Sequence, residues 1–366
     1  MSPPIAPPRR RWRARILVLL FTSTVALLIA EWATRTFLAE QVVLFPRNHT
    51  DAQYGSYRLR RLRPSTTFRH TSLDGSWTFT TNAQGFRDTQ DWLHERTPGV
   101  RRVMCLGDSH TQGFEVRQDH TFSAISARRL SRLGQPTEVL NCGISGFGTA
   151  EELAFFENEG VNYAPDVVVL AWFANDPDDN VKSGLFAVRD GRLVETSREH
   201  LPGVQILNAI NRVPPLRWAG EHSWFYSLLF NRVWEARKGL LSQKRAAEAV
   251  EFATKAPALE AGAASYQSEL AAKLVERLHA FCQAHRARLI ILEIPFRKAV
   301  DDFEPSVPAE LVGTFQANSD AFIPAEQVLG PFRGAAELFV AHGQQHISET
   351  THLLLGAALA AKIAGQ

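Results

Sequence analysis

Ser109 closes the apolar run Val103-Met104-Cys105-Leu106 through the triplet Gly107-Asp108-Ser109. A buried strand that ends on a serine and turns into a helix presents the hydroxyl at the sheet edge. The N–H groups of the helix start surround it there and favour the negative charge that develops when a serine attacks an ester. Asp108 reads as the residue that fixes the turn, and Gly-Asp-Ser alone is an ordinary turn. Three other segments accompany it: the glycine-rich stretch Asn141-Cys142-Gly143-Ile144-Ser145-Gly146-Phe147-Gly148-Thr149, then Phe173-Ala174-Asn175-Asp176, then His346-Ile347-Ser348. Taken singly, the first could serve only a turn, the second a helix cap and the third the surface. Their shared position gives them weight, since each falls at or just beyond the C-terminal end of an expected strand, where open α/β sheets keep their sites.

The elements that would place them follow from the apolar pattern. Arg102–Leu106, Glu138–Asn141, Val167–Trp172 and Leu289–Ile294 are short, mostly apolar runs without alternation, as parallel strands covered on both faces require. Helical stretches such as Ser123–Leu133 and Thr149–Asn158 lie between them, which indicates a doubly wound sheet. A fifth strand is expected around Glu337–Ala341, followed by a helix from Glu349 to Ala364. Residues 183–261 interrupt the alternation with a hairpin over Leu185–Val194, a proline-containing loop and a helix near Trp224–Leu241. They read as an insertion between the third and fourth strands. Ahead of the sheet, residues 34–98 form a lead-in that is β-rich from residue 45. Ser76-Trp77-Thr78-Phe79-Thr80 alternates with period two there, and Asn82-Ala83-Gln84-Gly85 marks a turn. The expected division is therefore 1–15, 16–33, 34–98 and 99–366.

The 366 residues are 45% apolar and 21% charged, ordinary for a chain with a full core. The net charge of +2 conceals an asymmetry. Arg9, Arg10, Arg11, Arg13 and Arg15 precede the first acid, Glu31, and without them 35 basic groups face 38 acidic ones. Nothing in that balance suggests a nucleic-acid surface. The uncharged run from Ile16 to Ala30 would rise about 22 Å as a helix, a little under the roughly 30 Å hydrocarbon core. Snorkelling arginines, with Trp12 and Trp32 near the interfaces, cover the difference. A cleaved signal peptide has the same length; Glu31-Trp32 after the run, in place of small residues, favours an uncleaved anchor. Either way the basic tail stays in the cytoplasm and the rest is exported. Cys105, Cys142 and Cys282 make an odd count, which favours buried free thiols over a Cys105–Cys142 bridge. No Cys/His cluster has zinc spacing, and no metal or organic cofactor is implied.

On these residues the chain resembles the SGNH hydrolase superfamily, the GDSL esterase/lipase family, over residues 101–182 and more thinly over 286–366. The resemblance implies a three-layer α/β/α sandwich with a flavodoxin-like five-stranded parallel sheet. It assigns Ser109 as nucleophile and His346 as the base that takes its proton. The Ser109 N–H, the Gly146 N–H and the Asn175 amide would form the oxyanion hole. Thr81-Asn82-Ala83-Gln84-Gly85-Phe86-Arg87-Asp88 and Ala164-Pro165-Asp166 are similar to a membrane-anchored bacterial branch. That implies a single-pass inner-membrane protein whose main domain faces the periplasm. The reaction implied is cleavage of an O-acyl, most simply O-acetyl, ester on a carbohydrate or lipid. O-acyl transfer onto envelope polysaccharide, and a degenerate site that only binds polysaccharide, are the alternatives.

The chain departs from the family at the acid. The family carries an Asp two or three residues before the histidine, where Gln344 and Gly343 stand here. A backbone carbonyl or Gln344 could orient His346, or a carboxylate from elsewhere could, with Glu349, Glu337 and Asp176 as candidates. Thr351 replaces the glycine expected before His352, and Phe173 the glycine expected to open the third block. His352, one and a half turns beyond His346, reads as a helix-surface residue with a substrate contact or alternative base as the functional option. No role is assigned to His110.

Overall fold

The computed structural model describes residues 9–44, 49–199, 204–234, 236–237, 239–240, 263–343 and 345–365. Five parallel strands form the central sheet: β1 Arg101–Gly107, β2 Thr137–Asn141, β3 Val167–Trp172, β4 Arg288–Glu293 and β5 Ala321–Ile323. Their spatial order is β2-β1-β3-β4-β5, the flavodoxin-like winding the sequence led us to expect.

The three layers follow from the period of two along each strand. Val103, Cys105 and Val169 point to one face and pack with Phe122 and Leu130 of the helix Phe122–Arg132. Leu355, Leu359 and Ile363 of the helix Glu349–Ala364 complete that face. Met104, Leu106, Val168 and Leu170 point to the other face, against Leu153 and Phe156 of Thr149–Asn158 and Leu270, Leu274 and Leu278 of Ala263–Ala284. These strand residues are all fully or almost fully buried, each side chain contributing about 1.5–3 kcal/mol. All three cysteines are buried free thiols.

The fifth strand lies where the sequence did not place it. Glu337–Ala341 makes only an isolated bridge, Phe339 to Ile347, and the three-residue Ala321–Ile323 forms the sheet edge. The lead-in folds as two antiparallel hairpins, His49–Tyr54 with Tyr57–Leu62 and Thr67–Ser72 with Gly75–Thr80. Within the insertion the hairpin pairs Phe186–Arg189 with Arg192–Glu195. The expected proline loop instead opens a helix, Pro214–His222, because proline's fixed φ and missing N–H suit a first helical turn. The insertion rests on the first lead-in hairpin, with Asn208 accepting from Arg63 at 3.0 Å and donating to Asp51 at 3.2 Å. Leu241, the expected end of the 224–241 helix, lies outside the described residues.

The N-terminal helix Arg9–Phe37 is long and apolar enough over Trp12–Phe37 to cross a membrane. Near its C-terminal end the Glu31 carboxylate accepts from Ser223 Oγ at 2.8 Å and from the Trp224 and Phe225 N–H groups at 3.0 Å each. A membrane-length helix is thus tied to the insertion by a side chain acting as a helix cap.

Candidate active site

Strand β1 ends at Gly107, whose φ of +153° and lack of a side chain let Thr111 pack into the turn. Asp108 then caps a four-residue helix, Ser109–Gln112, its Oδ1 accepting from the His110 N–H at 2.8 Å. Asp108 therefore shapes the turn. The half-buried Ser109 that results holds its Oγ 3.0 Å from Nε2 of the buried His346. Two residues 237 positions apart in the chain meet at hydrogen-bond distance on the C-terminal edge of the sheet.

The glycine-rich segment continues the pairing of β1 and β2 past their ends. The Cys142 N–H donates to the Cys105 carbonyl and the Ile144 N–H to the Gly107 carbonyl, both at 2.9 Å. Gln112 Oε1 accepts from the Ser145 N–H at 2.7 Å and so ties the loop to the Ser109 helix. Gly146 is exposed with φ +76°, and a Cβ there would come within 2.6 Å of the Arg60 guanidinium. After β3, Asn175 donates an amide hydrogen to Asp179 at 2.8 Å, and its amide also bonds to the Asp108 carboxyl, which together fix its orientation. Ser109, Gly146 and Asn175 thus stand on three neighbouring strand ends, each on a different crossover.

The loop bearing His346 is braced from two sides. Arg297 donates to the carbonyls of Val340 and Gly343 at 3.0 Å and of Ala341 at 2.9 Å. Asp74, in the turn of the second lead-in hairpin, accepts from the His342 N–H and lies 2.9 Å from its Nδ1. Phe114 lies against the imidazole of His346, ring centroids 4.6 Å apart.

The carboxylates considered for orienting His346 are not paired with it. Glu349 pairs with Arg117 and His120. The Glu337 side chain is exposed, and its backbone carbonyl accepts from Ser348 Oγ. Asp176 is buried and accepts from the Phe173 N–H at 2.9 Å. Gln344 lies outside the described residues. The carboxylate that does approach is Glu115, whose Oε2 is 3.7 Å from His346 Nδ1 with both side chains almost wholly buried. Sequence reading passed over it; its one signal was a lone charge between Phe114 and Val116.

His352 is also corrected. It is buried, not on the surface, and its Nδ1 accepts from the Phe122 N–H at 3.1 Å. Burial pushes this imidazole down to about 3, so it stays the neutral acceptor that ties the last helix to Phe122–Arg132. The His110 ring lies 5.1 Å from that of His346 and 4.2 Å from that of Phe173.

Arg87, which the sequence shows only within the lead-in motif, braces the segment after Ser109. Its buried guanidinium donates to the carbonyls of Gln112 at 2.9 Å, of Val116 at 2.7 Å and of Gly113. It holds the loop that follows the Ser109 turn and carries Glu115.

Beside Asn175 lies a set of buried acids. Burial pushes Asp108 up to about 7, and pushes Glu152 and Asp176 well above the ordinary carboxylate range, with neighbouring carboxylates adding to it. Neither carboxyl oxygen of Glu152 has a hydrogen-bond partner. Each of these acids holds its proton more tightly folded than unfolded, so stability is greatest below the unfolded carboxyl value near 4 and falls as pH rises above it, for Asp108 through about 7. The melting temperature should accordingly be higher at about pH 5 than at about pH 8, and Glu152→Gln should narrow the gap. Calorimetry at the two pH values checks this; a melting temperature that climbs toward pH 8 would contradict it.

The chain belongs to the GDSL-like lipase/acylhydrolase family, whose model matches residues 105–305, more than half of its length. The match includes Ser109, Gly146 and Asn175 and ends before His346. Among solved structures, the lipase/acylhydrolase from Enterococcus faecalis is 14% identical, with 73% of this chain and 96% of that one covered and a TM-score of 0.40. TesA is 13% identical, with coverage of 72% and 99% and a TM-score of 0.37. A two-domain esterase active on acetylated mannans is 11% identical, with coverage of 73% and 49% and a TM-score of 0.39. No curated protein matches the sequence.

Proposed function

We propose that this protein is a membrane-anchored serine ester hydrolase that removes a small O-acyl group, in the simplest case O-acetyl, from a carbohydrate or lipid at the periplasmic face. The observation that carries the reading is the 3.0 Å contact between Ser109 Oγ and His346 Nε2 in a chain of the acylhydrolase family. In this reading His346 Nε2 takes the hydroxyl proton as Ser109 Oγ bonds to the ester carbonyl carbon. The oxyanion receives hydrogen bonds from the Ser109 and Gly146 N–H groups and from the Asn175 amide, which turns to it from Asp108, each worth about 3–4 kcal/mol in the transition state. Collapse breaks the ester C–O bond, and His346 returns the proton to the departing alkoxide. Water then attacks the acyl-serine with His346 again as base, releasing the acid and regenerating Ser109.

Glu31-Trp32 directly after the apolar run, in place of small residues, supports a retained anchor. The basic tail ahead of the helix supports a cytoplasmic N-terminus. O-acyl transfer shares the acyl-enzyme and differs only in the hydroxyl that resolves it. The test is acetate release from acetylated oligosaccharides by the full-length chain in detergent. Release by the wild type and none by Ser109→Ala is expected; equal release by both would overturn the reading.

A further inference from the structure

A histidine that takes a proton at Nε2 must carry its other hydrogen on Nδ1, and the imidazolium it becomes needs a counter-charge on that side. The sequence places no acid at 343 or 344 to provide it. We infer that Glu115, from the loop after the nucleophile turn, is the positioning acid of this site, a reading that rests on the ester-hydrolase chemistry proposed above.

Four observations carry it. Glu115 Oε2 stands 3.7 Å from His346 Nδ1, beyond hydrogen-bond distance and within ion-pair reach. Both Glu115 carboxylate oxygens and His346 Nδ1 are buried without a hydrogen-bond partner, so each is the available complement of the other. A buried carboxylate that serves no donor is costly, and a stabilising role in the resting fold does not explain it. Glu115 also adopts φ +61°, a strained conformation for a residue with a side chain. Arg87 clamps the carbonyls of Gly113 and Val116 on either side of Phe114-Glu115, which holds the strained residue in place. Finally, a Cβ built on Gly343 would lie 2.5 Å from Glu115 Oε2. The space a side chain at position 343 would enter is the space the Glu115 carboxylate occupies.

The test compares Glu115→Gln and Glu115→Asp with the wild type, as full-length chain in detergent, by hydrolysis of p-nitrophenyl acetate and by thermal melting. An acid that acts only on the charged imidazole contributes to the transition state and not to ground-state binding. Glu115→Gln should therefore lower kcat about 10³–10⁴-fold with KM changed less than about twofold. Its melting temperature should not fall, because the substitution breaks no resting hydrogen bond. Glu115→Asp, which restores the charge on a shorter stem, should recover at least about tenfold of the loss. A Glu115→Gln enzyme within about threefold of wild type, or a Glu115→Asp enzyme no better than the amide, would overturn the inference. Ser109→Ala separates the two readings. If it is inactive while Glu115→Gln is not, only the role of Glu115 falls; if wild type and Ser109→Ala hydrolyse the ester equally, the proposed function falls with it.

Discussion

Ser109→Ala is expected to abolish ester turnover, lowering kcat by about 10⁶-fold, while leaving the fold intact. The alcohol oxygen that bonds to the carbonyl carbon is gone, and no other hydroxyl is recorded within hydrogen-bond reach of His346 Nε2 among the described residues. What remains is binding and the oxyanion donors, which give a residual rate over water. The stability cost should be about 1 kcal/mol or less, since a single half-buried hydrogen bond is lost. Steady-state hydrolysis together with a thermal melt checks both halves. Turnover near the wild-type value would remove Ser109 from the chemistry.

His346→Ala should be nearly as severe, again by about 10⁵–10⁶-fold in kcat, because nucleophile and base act as a unit. The double variant with Ser109→Ala should be no worse than either single one. His352→Ala should behave differently. It removes the acceptor for the Phe122 N–H in the packed face between two helices, so its effect belongs in the melting temperature and not in turnover. Retained activity in His346→Ala with lost activity in a folded His352→Ala would mean that the base has been assigned to the wrong histidine.

Much of this was legible in the sequence, for reasons that differ from element to element. The strands β1, β2, β3 and β4 are continuous apolar runs, and a run buried on both faces has no competing reading once helices separate such runs. Ser109, Gly146, Asn175 and His346 could be placed because strand ends, a glycine loop and a helix start leave local marks. The edge strand could not be placed. Ala321–Ile323 has three residues, too few for a pattern, whereas the longer apolar run Leu338-Phe339-Val340 is buried beneath the His346 loop instead. His352 was misplaced because its helix, Glu349–Ala364, is apolar on most sides and gives little sign of which face is inside. Glu115 was not legible because its significance is purely tertiary: the residue it serves lies at the other end of the chain, and nothing local announces a carboxylate aimed inward. The same holds for Arg87, Arg297 and Asp74, which hold the two loops by bonds to backbone atoms far away in sequence.

The central claim is that Ser109 is an activated nucleophile. Intact-mass analysis of the full-length chain after exposure to a fluorophosphonate probe tests it most directly, with Ser109→Ala treated in parallel. One adduct per chain, mapping to Ser109 and missing from the variant, is the result this account predicts. A folded wild-type protein that takes up no adduct, or one that labels equally in both, would contradict it.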